Sequence, residues 1–336
     1  MNNKQIVFTS PWKAEIRQKR LETPALGPDE AWVRKICTLV SPGTELACLS
    51  GNESWFRMPG IPGYASVSEV LQTGDNVEGF AAGDIVFHYG DHSAYSVVST
   101  RHVWLKVPPS LPLPWVPFAR MAAVAMTSLR VSQIELGDTV AVTGLGLVGN
   151  MASQLARLQG ATVIGIDLSE QRLQLAKACG ADHVLLGGKG ELRDEVMRIT
   201  NGQGVSALIE ATGVPKVAVD HLPLVGRFGE VILLGSPRGD FQTNVTELLN
   251  RIHLDGSYGN LTFKGAHEWR YPVLPDRFAK HSLARNCGII LELMADGRLR
   301  IEPLISHVLK PEEAEQAYQG LRNDKDRYNG VLFDWR

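Results

Sequence analysis

Six residues constrain this chain more than any others: Gly144-Leu145-Gly146-Leu147-Val148-Gly149. A lone G-x-G-x-x-G means little, but here the apolar run TVAVT precedes it and the helix-like NMASQLARLQG follows. Asp167 closes the next apolar run, ATVIGID, 18 residues beyond Gly149. Strand, glycine turn and helix in that register predict a dinucleotide-binding unit. Gly144 permits the tight turn. Gly146 lets the backbone approach a pyrophosphate at the helix N-terminus, and Gly149 lets helix and strand pack closely. Leu147 and Val148 begin the receiving helix. Asp167 suits the adenosine ribose hydroxyls and repels a 2′-phosphate, so NAD is expected over NADP, although Ser169 and Arg172 nearby bear on the choice. Thr212 and Gly235 end the later runs SALIEAT and GEVILLG and are expected to wall the nicotinamide end.

The strand–glycine–helix pattern repeats from 139 to about 258, through SEQRLQLAKACGA, ADHVLL, SALIEAT and GEVILLG. Apolar strands without polar alternation, joined by helices, predict a parallel sheet covered on both faces. Residues 1–110 read differently. Short runs such as AWVRKICTLV and SAYSVVS, cut by Gly, Pro and Asp, predict a small, partly closed antiparallel β-domain. The Pro-rich VPPSLPLPWVP (107–117) marks a boundary, and 118–134 reads as a helix. Near the end, the helix CGIILELMADG, the strand LISHVL and the Pro-started helix PEEAEQAYQGLRN return the chain to its first domain. The expected division is 1–117 with 259–336, and 118–258 between them.

Charge is balanced, 34 basic against 36 acidic residues, which gives no electrostatic case for nucleic acid or an anionic membrane. No apolar run reaches bilayer length and the N-terminus lacks a secretory core, so a cytoplasmic protein acting on a small molecule is expected. Cys37, Cys48, Cys179 and Cys287 are scattered without C-x-x-C spacing and read as buried thiols.

With this order of parts, the segments PGY…SEVLQTGDNVEGFAAGDIVF, GDTVAVTGLGLVGNMASQLARLQGATVIGID, AKACGADHV and PLISHVL resemble the medium-chain dehydrogenase/reductase superfamily of alcohol dehydrogenase type. The resemblance implies an α/β protein: a GroES-like β-rich catalytic domain split around a Rossmann doubly wound parallel-sheet domain. It also implies a homodimer through the edge strand of the Rossmann sheet, or a homotetramer. The departures are as informative. Where zinc members carry a catalytic Cys, this chain reads Leu39-Val40-Ser41-Pro42-Gly43-Thr44-Glu45. Where they carry His-Glu, it has Tyr64-Ala65, and a further ligand position falls near Phe118-Ala119-Arg120. The region of the four-cysteine structural lobe, 88–105, holds no Cys. Zinc is therefore not expected at either site. Ser-Pro-Gly-Thr-Glu with Gly-Tyr resembles a zinc-lacking branch that includes hydroxyethyl-bacteriochlorophyllide dehydrogenases.

Without the metal, hydride transfer at an alcohol carbon still needs a proton acceptor and a stabiliser of oxygen charge. Tyr64 is the first candidate, with Arg120 to favour its phenolate. Thr44 resembles a proton-relay hydroxyl. His92, and less so His88, lie in FHYGDHSAYSVV, a turn that borders the substrate pocket in the family. Ser41, Trp55 and Phe56 are expected to line that pocket. Each has a plainer alternative: Tyr64 packing on strands, Thr44 in a turn, the histidines solvated, Trp55 and Phe56 in a satellite core. The function expected is zinc-independent hydride transfer between NAD(H) and a secondary alcohol or ketone. The substrate classes left open are a polyol, a cyclitol or sugar derivative, and a bulkier ring-bearing alcohol. The alternatives are an NAD(P)H-dependent reductase of an activated C=C bond and a non-catalytic nucleotide-binding protein.

Overall fold

A computed structural model describes residues 2–188, 190–257 and 259–336. Its strands are β1 (Asn2–Ser10), β2 (Lys13–Arg20), β3 (Glu30–Leu39), β4 (Ser66–Thr73), β5 (Ile85–His88), β6 (Tyr95–Ser99), β7 (Trp104–Lys106), β8 (Thr139–Thr143), β9 (Thr162–Asp167), β10 (His183–Leu186), β11 (Val205–Glu210), β12 (Val225–Leu233), β13 (Thr262–Gly265), β14 (Ile305–Leu309) and β15 (Gly330–Asp334). Its α-helices are α1 (Pro42–Ser50), α2 (Phe118–Val131), α3 (Leu147–Leu158), α4 (Glu170–Ala178), α5 (Leu192–Ile199), α6 (Pro215–Asp220), α7 (Val245–His253), α8 (Leu283–Ala295) and α9 (Ala314–Asn323). The chain falls into two compact units, Met1–Met121 with Tyr271–Arg336, and Ala122–Arg270.

The second unit is built on a parallel sheet ordered β10-β9-β8-β11-β12-β13. Numbered from its own first strand this is 3-2-1-4-5-6, the doubly wound order, with the switch point between β8 and β11. The strands are apolar because helices cover both faces: Ala141, Ile164, Leu208 and Val231 are enclosed in one core with Val196 and Leu222. The sheet runs past residue 258, the boundary expected from sequence, because β13 adds a sixth strand beside β12. Residue 258 itself lies outside the described residues.

The first unit holds a mostly antiparallel sheet ordered β14-β15-β3-β4-β5-β7, with β6 also paired to β3 and a separate β1–β2 hairpin. Its C-terminal strands join the sheet through β15 against β3. β3 does not alternate as its sequence suggests. It is a central strand buried on both faces, and even Lys35 is enclosed, its Nζ on the Ser96 hydroxyl at 2.7 Å. Helix α1 interrupts the stretch read as strands and turns. Pro42 opens it and Gly51, at φ 82°, closes it in the left-handed region.

Candidate active site and nucleotide-binding turn

In the parallel-sheet unit the chain turns at Gly144, whose φ is 83° and whose N–H reaches Ile166 O at 2.9 Å. A Cβ on Gly149 would stand 1.8 Å from the Gly144 carbonyl oxygen, so α3 packs on the turn only because that residue is glycine. Gly146 differs: a Cβ there would meet nothing within 4 Å. Gly146 is the N-cap of α3 and no side chain caps the helix, which leaves its first N–H groups to an anion. This cradle at the C-terminal edge of the sheet fits a dinucleotide pyrophosphate, next to the switch point.

Asp167 closes the turn from β9. Its Oδ2 accepts from Leu145 N at 2.7 Å and its Oδ1 from Ser169 N at 3.0 Å, while Arg172 Nη1 lies 3.9 Å away. Thr212 touches the same turn, and a Cβ on Gly144 would come within 2.7 Å of its methyl. Gly235 packs on Gly213, where a Cβ would meet Gly213 N at 2.2 Å. Of the expected cofactor residues, Gly144, Gly146, Thr212 and Gly235 lie on strand-end turns of one sheet edge, Asp167 ends β9, and Leu147, Val148 and Gly149 form the first turn of α3. Glu210, which sequence reasoning missed, organises the Thr212 turn. It is buried and accepts from Thr212 N, from the Thr212 hydroxyl and from Gly213 N. The signal for it is an acid at the end of an otherwise apolar strand.

In the first unit, Tyr64 follows a turn that only glycine permits. Gly63 has φ 101°, and a Cβ there would lie 2.8 Å from the His92 ring. Partly exposed, Tyr64 donates its phenol proton to Ser41 Oγ. The Arg120 guanidinium lies over the Tyr64 ring at 4.7 Å and over the Tyr89 ring at 4.2 Å. Burial pushes the phenol above its ordinary pKa; Arg120 and the Ser41 and Thr44 hydroxyls oppose that rise, and Glu45 adds to it. Of the residues expected from sequence, the structure thus gathers Tyr64, Ser41, Thr44 and Arg120. Tyr89 is an addition, a tyrosine one residue beyond a short strand that no motif singles out.

Ser41 is the N-cap of α1, yet its hydroxyl makes no capping bond. An unused serine cap costs about 1 kcal/mol. The hydroxyl instead receives the Tyr64 proton, while Glu45 Oε1 takes the Ser41 backbone N–H at 2.7 Å. Glu45 Oε2 accepts the Tyr318 hydroxyl at 2.6 Å and faces His92 Nε2 at 3.0 Å. His92 Nδ1 lies 2.7 Å from the Thr38 hydroxyl, which accepts from Trp335 Nε1 at 3.0 Å. Every donor meets one acceptor when the Thr38 proton goes to Nδ1 and Nε2–H goes to Glu45.

Other expectations are corrected. His92, expected as a proton carrier at the substrate, is fully enclosed with both ring nitrogens engaged, so it supports the corner from behind. His88, expected to line the pocket, is buried with Nε2 on the Ser68 hydroxyl at 2.8 Å; burial, then Lys35 and His102, hold its pKa well below the usual value. Phe56 packs edge-on to Phe8 at 5.7 Å, against the core of Ile6, Val40 and Phe333, and so belongs to that core instead of a pocket wall. Trp55 stands 63% exposed with its indole N–H on Glu53.

The donors do not suit zinc. The corner offers hydroxyls, a guanidinium and one carboxylate already committed to several donors. Among the described residues no group of three or more His, Cys, Asp or Glu could hold a metal ion. Cys37, on β3, is buried with its thiol pushed up to about 12, chiefly by desolvation, whereas a metal ligand must be a thiolate.

Comparison with known proteins agrees with this architecture. A family model described as zinc-binding dehydrogenase matches residues 148–275. An L-threonine 3-dehydrogenase of Pyrococcus abyssi is 28% identical over 340 residues, covering 91% of each chain. An NAD-dependent alcohol dehydrogenase of Sulfolobus acidocaldarius is 26% identical over 355 residues, covering 94% of this chain and 96% of that one. In fold, galactitol-1-phosphate dehydrogenase from Escherichia coli superposes with a TM-score of 0.83 at 18% identity, over 98% of this chain and 99% of that one. Over most of its length the chain is thus similar to medium-chain dehydrogenases of the alcohol dehydrogenase type, with the zinc-binding dehydrogenase model matched across the parallel-sheet unit. It is an oxidoreductase of the alcohol dehydrogenase type.

Proposed function

We propose that this protein transfers a hydride between NAD(H) and a secondary alcohol or ketone without zinc, using Tyr64 as the acid and base at the substrate oxygen. The observation that carries the reading is the Ser41 hydroxyl, withdrawn from its helix cap to meet the Tyr64 phenol under the Arg120 guanidinium. Bound NAD supplies the hydride exchange. The first turn of α3 would hold its pyrophosphate, and Asp167 favours a ribose without a 2′-phosphate.

A phenol raised above its ordinary pKa is protonated at neutral pH, so it is ready to give its proton to a carbonyl oxygen as hydride arrives at the carbon. In the reverse direction the same oxygen takes the alcohol proton. Arg120 offsets the charge on the phenolate, which is left by carbonyl reduction and is the starting base in alcohol oxidation, the service a Lewis-acid metal performs for an alkoxide. The names of the curated relatives, a threonine dehydrogenase and an NAD-dependent alcohol dehydrogenase, support an alcohol substrate and NAD. Polyols, cyclitol or sugar derivatives and bulkier ring-bearing alcohols are the substrates to try. We further infer a cytoplasmic homodimer or homotetramer. Among the described residues no helix is long and apolar enough to cross a membrane.

The test is a panel of secondary alcohols and ketones followed by NADH absorbance, with metal analysis of the same preparation. Turnover with NAD(H) in metal-free protein is the expected result. Stoichiometric zinc would refute the metal-free chemistry. A clear preference for NADPH with activity on enones would favour C=C reduction. Intact NADH binding without turnover on any substrate would favour a nucleotide-binding protein.

A further inference from the structure

We propose that Glu45 is the positioning residue of the Tyr64 corner: it holds the Ser41 backbone, and through it the hydroxyl that meets the phenol, without touching substrate. The inference rests on Tyr64 being the acid and base. Three observations carry it.

First, Glu45 is 2% exposed, and a buried carboxylate is tolerated only when its acceptor sites are filled. Here they are filled from separate parts of the chain: Ser41 N–H at the start of α1, His92 from the loop after β5, and Tyr318 from α9. Second, the Ser41–Glu45 pair resembles the acid half of a capping box, set one residue later in the helix, at the fourth helical position instead of the third. The acid reaches back to the N-cap N–H, but the serine does not answer with its hydroxyl. The acid alone secures the cap, which releases the serine Oγ for Tyr64. Third, a second tier stands behind the carboxylate. Trp335, on the segment after β15, donates to Thr38, and Thr38 contacts His92. Loosening Glu45 therefore moves the Ser41 hydroxyl, and catalytic groups displaced by an ångström lose much of their effect.

The groups facing Tyr64 are Arg120 from α2 and Ser41, Thr44 and Glu45 around the start of α1, with Tyr89 also against Arg120. Those facing Glu45 are His92 and Tyr318, with Cys48 next to Tyr318. Removing the Glu45 charge leaves Arg120 as the charged group facing the phenol.

Three variants test the assignment. Glu45→Ala removes the acceptor, and kcat falls about 10- to 100-fold with NADH affinity unchanged. Glu45→Gln keeps an amide oxygen for Ser41 N–H and recovers most of kcat. It also moves the Tyr64 ionisation to lower pH, by roughly half a unit to one unit. That ionisation is read as tyrosinate absorbance, taken as the difference between each protein and its Tyr64→Phe counterpart. Tyr318→Phe leaves the Ser41 bond in place and lowers stability more than turnover. Where Glu45→Ala does not fold, Glu45→Gln and Tyr318→Phe decide. A purely architectural Glu45 lowers the melting temperature in all three variants and leaves both the Tyr64 titration and kcat per folded molecule where they were; that result overturns the proposal. If Tyr64→Phe alone keeps wild-type turnover, the proposed chemistry fails, while the absorbance titration still reports on Glu45.

Discussion

The glycine turn before α3 and the Tyr64 corner are built on opposite plans. The first is main chain: glycines at 144 and 149 let a strand end and a helix start approach more closely than any side chain allows, and the groups left uncapped are backbone N–H donors. The second is side chain. Its hydroxyls, guanidinium and carboxylate come from segments around 41, 64, 89, 120 and 318. A main-chain site tolerates no added atom but asks little of the residues around it. A side-chain site tolerates substitution in its shape and fails when one proton position is lost.

The sharpest way to break that contrast is Tyr64→Phe. It removes one oxygen, and turnover is expected to fall about 10²- to 10⁴-fold while NADH fluorescence titration stays at the wild-type affinity. An unchanged rate would assign Tyr64 to packing. Next is Gly149→Ala, which sets a methyl against the Gly144 carbonyl with no side chain able to yield. It is expected to cost about 3 kcal/mol in urea denaturation and to abolish NADH binding. Gly63→Ala probes the corner in the same way. Its positive φ and the adjacent His92 ring predict a loss of about 1–3 kcal/mol, with turnover falling because Tyr64 moves.

Gly146→Ala separates binding from folding. Its φ of −62° and the open space around it predict an unchanged melting temperature, while NADH affinity drops by about 1–2 kcal/mol where the pyrophosphate approaches. Weakened folding instead would mean the turn is closed by protein atoms and is no cradle.

The smallest effect is on stability at high pH. Burial holds Tyr64 above, and Tyr318 well above, the ordinary phenol value; Glu45 is the next cause for Tyr318. The folded chain therefore keeps protons that the unfolded chain releases above about pH 10. This stability is fully present below that value and is lost as pH rises through the folded pKa values. Denaturation midpoints at pH 8 and 10.5 should differ less in Tyr318→Phe than in wild type. Carbonyl reduction should stay flat across neutral pH and decline only on that alkaline side.

Legibility followed the same division. Spacing alone marked the glycine turn, since Gly144, Gly146 and Gly149 act through local backbone within one strand–turn–helix unit. Tyr64 and Arg120 stand out in the sequence because they fall at or near positions where the zinc members carry ligands. Nothing local told that Ser41 would leave its cap, or that α1 would form where turns were expected. His92 illustrates the limit. As a loop histidine beside a candidate pocket it has the chemistry of an acid or base, but enclosure by Thr38, Glu45 and Phe333 turns it into a support.

By itself, the sequence determined the two kinds of sheet and the glycine turn between β8 and α3. These follow from hydrophobic period and glycine geometry, which act over a few residues. Tertiary structure decided which polar side chains meet. Glu45 finds Tyr318, 273 residues away, and Thr38 finds Trp335 across 297 residues, because β15 returns to pair with β3. A hydrogen bond is set by ångström-scale position, and no local pattern carries that position across such a span.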